Sequence, residues 1–221
     1  MRPEAAPAVH SLLRVTDLDA LLWDVRRPGW TWTALQLAPW TVVRRAPPRL
    51  ELWPVGVRGS QRAQRSAAWL PRCAVQECIT PQMLAAQRAW RQRPGIPATP
   101  AIAVLDEVAA VLAAHGYAGR WGPGGSVGFE LASGVPSTTA GSDLDLVLSV
   151  DEPMARSAAT RLYADLAKFP VRIDVLLETP HGAAALAEYA DGEGATLLRS
   201  AHGPRLVQDP WSADGTTVGC R

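Results

Sequence analysis

The chain has 221 residues, 48% of them hydrophobic and 19% charged, with a formal net charge of +1. That length suits one large domain or two small ones, and the composition excludes bulk disorder. It contains no apolar run of membrane-spanning length, its first ten residues lack the apolar stretch of a secretory signal, and its three cysteines are too few for a disulfide-stapled scaffold.

The odd cysteine count fits a reducing compartment, so a cytoplasmic location is expected. Cys73 and Cys78 have no His or further Cys beside them, which argues against a zinc site. Charge is uneven along the chain. Residues 1–95 hold 14 Arg against 6 Asp and Glu, whereas residues 96–221 hold 8 Lys and Arg against 15 Asp and Glu. Seven of the nine Trp also precede residue 95. A basic half predicts an anionic partner, although a GC-rich coding sequence accounts for the same Arg excess. The expected fold is α+β in two domains. Residues 1–95 form a small, basic, Trp-rich accessory domain containing β-structure, and residues 96–221 a catalytic domain with a short mixed sheet flanked by helices.

In chain order, TWTALQL, WTVVRRA and RLELWPVGV are mixed segments punctuated by Pro and Gly, and they read as short strands. Arg58, Arg62 and Arg65 follow at spacings of four and three, which on a helix would share a face. Such a face suits phosphate, an acidic protein surface, or solvent alone. Residues 93–100 read as a linker. A helix then starts at Thr99 and Pro100 and stops at Gly116. A glycine-rich stretch, 120–134, leads to the apolar run SDLDLVLSV. A second helix is predicted over 152–168, a strand over 171–178, a helix over HGAAALAEYA, and a short strand at ATLLRS, with loop beyond Gln208.

Three carboxylates interrupt these apolar strands. Alternation puts Leu144, Leu146 and Leu148 on one face and Asp143 and Asp145 on the other. In the later strand Ile173, Val175 and Leu177 share a face and Asp174 takes the opposite one. If the strands are neighbours, the three Asp meet. Acids so grouped repel one another, and a hard divalent cation such as Mg²⁺ with substrate phosphates relieves that repulsion. The plain alternative is a solvated strand face. Gly124, Gly125 and Ser126 lie in a turn whose backbone N–H groups and hydroxyl suit a phosphate chain. Neither the P-loop nor the dinucleotide fingerprint is present. The four His show no ligand spacing, and the Trp residues read as core.

Helix, Gly-Ser, a DxD strand and a strand with one further Asp together resemble the nucleotidyltransferase superfamily that includes the polymerase-beta-like enzymes. The strings GPGGSVGFELASG and SDLDLVL, with VGVRGSQRAQRSAAWL and ITPQMLA before them, are similar to the phosphoribosyl-dephospho-CoA transferases of malonate decarboxylase, its holo-acyl-carrier-protein synthases. That resemblance covers most of residues 10–205. It implies that Asp143, Asp145 and Asp174 hold Mg²⁺ or Mn²⁺ and that Gly125 and Ser126 hold the triphosphate. The implied donor is 2′-(5″-triphosphoribosyl)-3′-dephospho-CoA, joined to a serine of the acyl-carrier subunit with loss of pyrophosphate. Asp174 would bind the metal at the attacking serine or accept its proton. Arg58, Arg62 and Arg65 would clamp donor phosphates or dock the carrier. Sixteen residues between Ser126 and Asp143 exceed the usual family spacing. Neither nucleic acid nor membrane is expected as a partner. Alternatives are another metal-dependent nucleotidyltransferase acting on a small molecule or an RNA end, and a non-catalytic adaptor.

Overall fold

The computed structural model describes residues 6–61, 63–92, 98–192 and 194–212. Arg62, Cys220 and most of the expected linker lie outside the described residues. The fold is α+β. Two compact units are present: residues up to Thr80 with Phe129–Ser137, and Pro81–Gly128 with the remainder from Thr138.

The first unit contains β1 (Leu12–Val15), α1 (Trp30–Leu37), β2 (Trp40–Val43), β3 (Leu52–Arg58), β4 (Arg65–Pro71) and β5 (Val75–Ile79). Its five strands form one sheet in the order β4-β3-β2-β1-β5, with every pairing antiparallel. Alternation explains β3: Trp53, Val55 and Val57 are buried and the residues between them are not. TWTALQL departs from the sequence reading and forms α1. Pro28 and Gly29 break the chain before it, the Pro28 carbonyl accepts from Thr31 Oγ1 at 2.6 Å, and Thr31 and Leu35 are buried one turn apart. The helical reading of 58–65 is also corrected. Arg58 ends β3, Arg65 begins β4, and the two are direct cross-strand partners.

The Trp residues do serve the core here, with Trp40, Trp53 and Trp69 buried. Several Arg residues of this unit stack on Trp rings: Arg49 lies 3.9 Å and Arg44 5.1 Å from the Trp69 centroid, and Arg72 4.3 Å from that of Trp53. Asp24 accepts from Trp69 Nε1 at 2.7 Å and from Arg49 at 2.8 Å. The Trp69 hydrogen bond first, then that of Arg49, holds the Asp24 carboxyl below its ordinary value. A depressed folded value means stability that is present above the unfolded value and lost as pH falls through the folded one. Asp24→Asn therefore lowers the thermal midpoint at about pH 7, and the gap from wild type closes as pH falls well below about 4. Melting curves across that range check this; a constant gap would remove the Asp24 charge from the account.

The second unit comprises α2 (Pro81–Ala86), α3 (Pro100–Ala103), α4 (Leu105–Ala114), β6 (Trp121–Pro123), the start of α5 (Gly125–Ser133), β7 (Leu144–Ser149), α6 (Arg156–Leu166), β8 (Ile173–Thr179), β9 (Gly182–Ala185), α7 (Leu186–Asp191), β10 (Thr196–Ser200) and β11 (Gly203–Val207). The six strands form a mixed sheet in the order β11-β10-β9-β8-β7-β6. The β7–β8 pair is parallel, with α6 as its crossover, and the other pairs are antiparallel. The helix from Pro100 breaks at Val104, and Gly116 ends the following turn with φ +84°. GAAA is a strand, not part of a helix. Ala183 and Ala184 are fully buried, on a strand that lies between β8 and β10. β11 is a further strand between the predicted strand at ATLLRS and the predicted loop beyond Gln208.

Arg156 joins α6 to the end of α7. Its guanidinium donates to the carbonyls of Tyr189 (2.9 Å), Gly192 and Gly194 (3.1 Å), and lies 4.6 Å from the Tyr189 centroid. A cation on helix-terminal carbonyls is favourable. Arg156→Ala is expected to cost about 2–3 kcal/mol, read as a lower urea midpoint; an unchanged midpoint would contradict this.

Candidate active site

β7 and β8 carry the acids. Leu144, Leu146 and Leu148 are buried as the alternation required, and Asp145 between them is exposed. The parallel register pairs Asp145 directly with Asp174, so both stand on one face of the sheet. Asp143 immediately precedes β7. The ladder begins beside it, where Leu144 N donates to the Arg172 carbonyl at 2.9 Å.

The glycine turn reaches the same strand from the other side. β6 pairs antiparallel with β7, with Pro123 opposite Leu146, so the chain leaves β6 at Gly124 level with Asp145. Gly124 N donates to the Asp145 carbonyl at 2.8 Å, and Gly128 N closes the first bond of α5 onto the Gly124 carbonyl at 2.7 Å. Gly125 has φ +52°, and a Cβ there would overlap Asp145 Oδ2. Only glycine meets both demands. Gly125 is exposed and Ser126 half-buried, so the first turn of α5 opens to solvent beside the Asp145 carboxylate.

Arg172 was missed in the sequence. Its Nε donates to Asp174 Oδ1 at 3.1 Å. That bond, then the charges of Asp174 and Asp143, holds its proton more tightly than usual. The signal was available, since residues two apart at a strand end share a face. A guanidinium thus offsets part of the repulsion among the acids and fixes the Asp174 carboxylate.

Among the described residues no three Asp, Glu, His or Cys side chains converge closely enough to hold a metal by themselves. Two facing carboxylates still fit a hard cation, because Mg²⁺ typically takes one or two carboxylates and fills its shell with phosphate oxygens and water. Of the arginines expected near phosphate, Arg58 and Arg65 lie in the first unit. No described helix is long and apolar enough to cross a membrane.

Two family models match the chain, described as the N-terminal domain (residues 8–81) and the C-terminal domain (residues 83–210) of phosphoribosyl-dephospho-CoA transferase MdcG. The chain belongs to this family. Relatives named phosphoribosyl-dephospho-CoA transferase include one from Pseudomonas putida (strain GB-1), 43% identical over 208 residues, covering 94% of this chain and 97% of the relative. One from Azotobacter vinelandii is 40% identical over 207 residues, covering 93% and 94%, and one from Klebsiella pneumoniae (strain 342) is 35% identical over 207 residues, covering 94% and 97%. The family is one of transferases. No solved structure matches the chain.

Proposed function

We propose that the chain transfers the 2′-(5″-triphosphoribosyl)-3′-dephospho-CoA group to a serine of the apo acyl-carrier subunit of malonate decarboxylase, in the cytoplasm. The observation that carries this reading is the Asp145–Asp174 pair facing the Gly125 turn. In the reaction, the serine Oγ forms a bond to the α-phosphorus of the donor. The α-phosphorus–oxygen bond to the β-phosphate breaks, pyrophosphate leaves, and a phosphodiester remains. Membership of the transferase family supports the group transferred.

The facing Asp145 and Asp174 would hold Mg²⁺ or Mn²⁺, with Asp143 at the edge of the same strand, and the ion would supply neutralisation of charge on the phosphates. Backbone N–H groups at Gly125 and Ser126, with the Ser126 hydroxyl, orient the terminal phosphates at the start of α5, while the Gly124 N–H, spent on the Asp145 carbonyl, fixes the turn beside them. Asp174 accepts the proton of the attacking serine, and the Arg172 hydrogen bond holds that carboxylate in place. The exposed setting of Asp145 leaves room for a protein acceptor to approach.

The test is the mass of the carrier subunit after incubation with the chain, donor and Mg²⁺. The reading expects a gain equal to the prosthetic group on one serine. An unchanged carrier mass, with the donor consumed by another acceptor or not at all, overturns it.

A further inference from the structure

The Asp145–Asp174 pair stands on one face of the six-stranded sheet, and the register carries that face beyond the acids. Alternation along β8 puts Leu176 and Glu178 on it with Asp174. Their partners on β9 are Ala185 and Ala183. Ala183 pairs in turn with Arg199 of β10, so Leu197, two residues away, shares the face. Leu197 pairs with Leu206 of β11.

The two faces differ in burial. On the opposite one Leu146, Leu177, Ala184 and Leu198 are buried. On the acid face Leu176, Ala185 and Leu197 are only half-buried, and Leu206 is 39% exposed. Four apolar side chains on successive strands thus form a strip that leads from the acids to the edge of the sheet. It crosses three strand spacings, about 14 Å. Arg199 is exposed at its side and has no hydrogen-bond or ion-pair partner among the described residues. Glu178 stands two strands from Arg199, with Ala183 between them.

We propose that this strip binds the dephospho-CoA arm of the donor, with the apolar side chains under its adenosine and pantetheine and Arg199 on its diphosphate. The identity of the donor rests on the reading above. Three features select this occupant. The strip is continuous with the acids, so a ligand whose phosphates react there continues over it. Arg199 offers a charge-assisted fork to a diphosphate. The strip is also too small for a protein partner, because four side chains along about 14 Å fall far short of the roughly 800 Å² that each side of a stable protein interface buries.

Calorimetric titration of the full chain with dephospho-CoA, ADP and inorganic tripolyphosphate tests this. Wild type binds dephospho-CoA at least about tenfold more tightly than ADP, because ADP lacks the pantetheine. Leu197→Ser/Leu206→Ser brings dephospho-CoA to within about threefold of ADP and leaves tripolyphosphate unchanged. Leu206→Ser alone, at an exposed position on the edge strand, weakens dephospho-CoA by about threefold. Arg199→Gln weakens dephospho-CoA and ADP alike, by about fivefold or more. Dephospho-CoA affinity unchanged in the leucine variants or in Arg199→Gln would overturn the proposal. No binding, no preference over ADP, or an equal loss of tripolyphosphate affinity in the leucine variants would do the same. So would a wild-type dimer in sedimentation that Leu206→Ser dissociates, because it assigns the strip to a second copy. Unaltered dephospho-CoA affinity in the variants with carrier modification intact removes this site alone; the expected losses with an unmodified carrier remove the transfer reaction and leave the strip standing.

Discussion

Asp145→Asn and Asp174→Asn each lower prosthetic-group transfer by about three orders of magnitude or more, with the fold unchanged. The size follows from the work assigned to the pair. Phosphoryl transfer is catalysed almost wholly by positioning and charge neutralisation, and removal of one such electrostatic group typically costs about 10²- to 10³-fold. Asparagine keeps the shape of each side chain, and Asp145 is exposed, so the loss should not be a folding defect. In the proposed reaction the two act on one reacting phosphorus, so the double variant should be barely worse than either single one. Pyrophosphate release, measured beside far-ultraviolet circular dichroism, checks both parts. Activity within tenfold of wild type in either variant would place the chemistry elsewhere.

Gly125→Ala separates backbone strain from site geometry. Gly125 opens α5 and Gly134 follows it, both with positive φ (+52° and +74°). Alanine at either position costs about 1–2 kcal/mol of stability for the left-handed backbone. Their surroundings differ. A Cβ at 134 meets nothing within 4 Å, whereas one at 125 overlaps the Asp145 carboxylate. Gly134→Ala should therefore melt lower while keeping its turnover, and Gly125→Ala should lose about 100-fold in kcat besides. Equal turnover in the two variants would show that the Gly125–Asp145 approach has no catalytic role.

Alternation of side chains made the strands of the acid site legible in the sequence. Leu144, Leu146 and Leu148 are buried, and Asp145 stands on the opposite face as that alternation requires. The sequence carried no information on register, because pairing Asp145 with Asp174 depends on how the α6 crossover lays β8 beside β7. The fold was read less well where local preference yields to packing. TWTALQL alternates like a strand, yet Pro28–Gly29 and the burial of Thr31 and Leu35 make it a helix. GAAA favours a helix locally, and becomes a strand because it pairs with β8 on one side and β10 on the other. Arg58 and Arg65 have helical spacing, but the alternation of Trp53, Val55 and Val57 before them was the stronger sign of a hairpin. The role of Arg172 is harder to read, because it lies just before β8, where the strand pattern stops, and its bond to Asp174 depends on how the chain enters that strand.

The proposed reaction requires the carboxylates beside the Gly125 turn to bind a divalent ion together with a triphosphate. Electron paramagnetic resonance of Mn²⁺, titrated into the full chain with inorganic tripolyphosphate present, measures this directly. Wild type should retain the ion at least about tenfold more tightly than Asp145→Asn/Asp174→Asn, as expected when two charged ligands are lost. Equal retention of Mn²⁺ by the two proteins would contradict it.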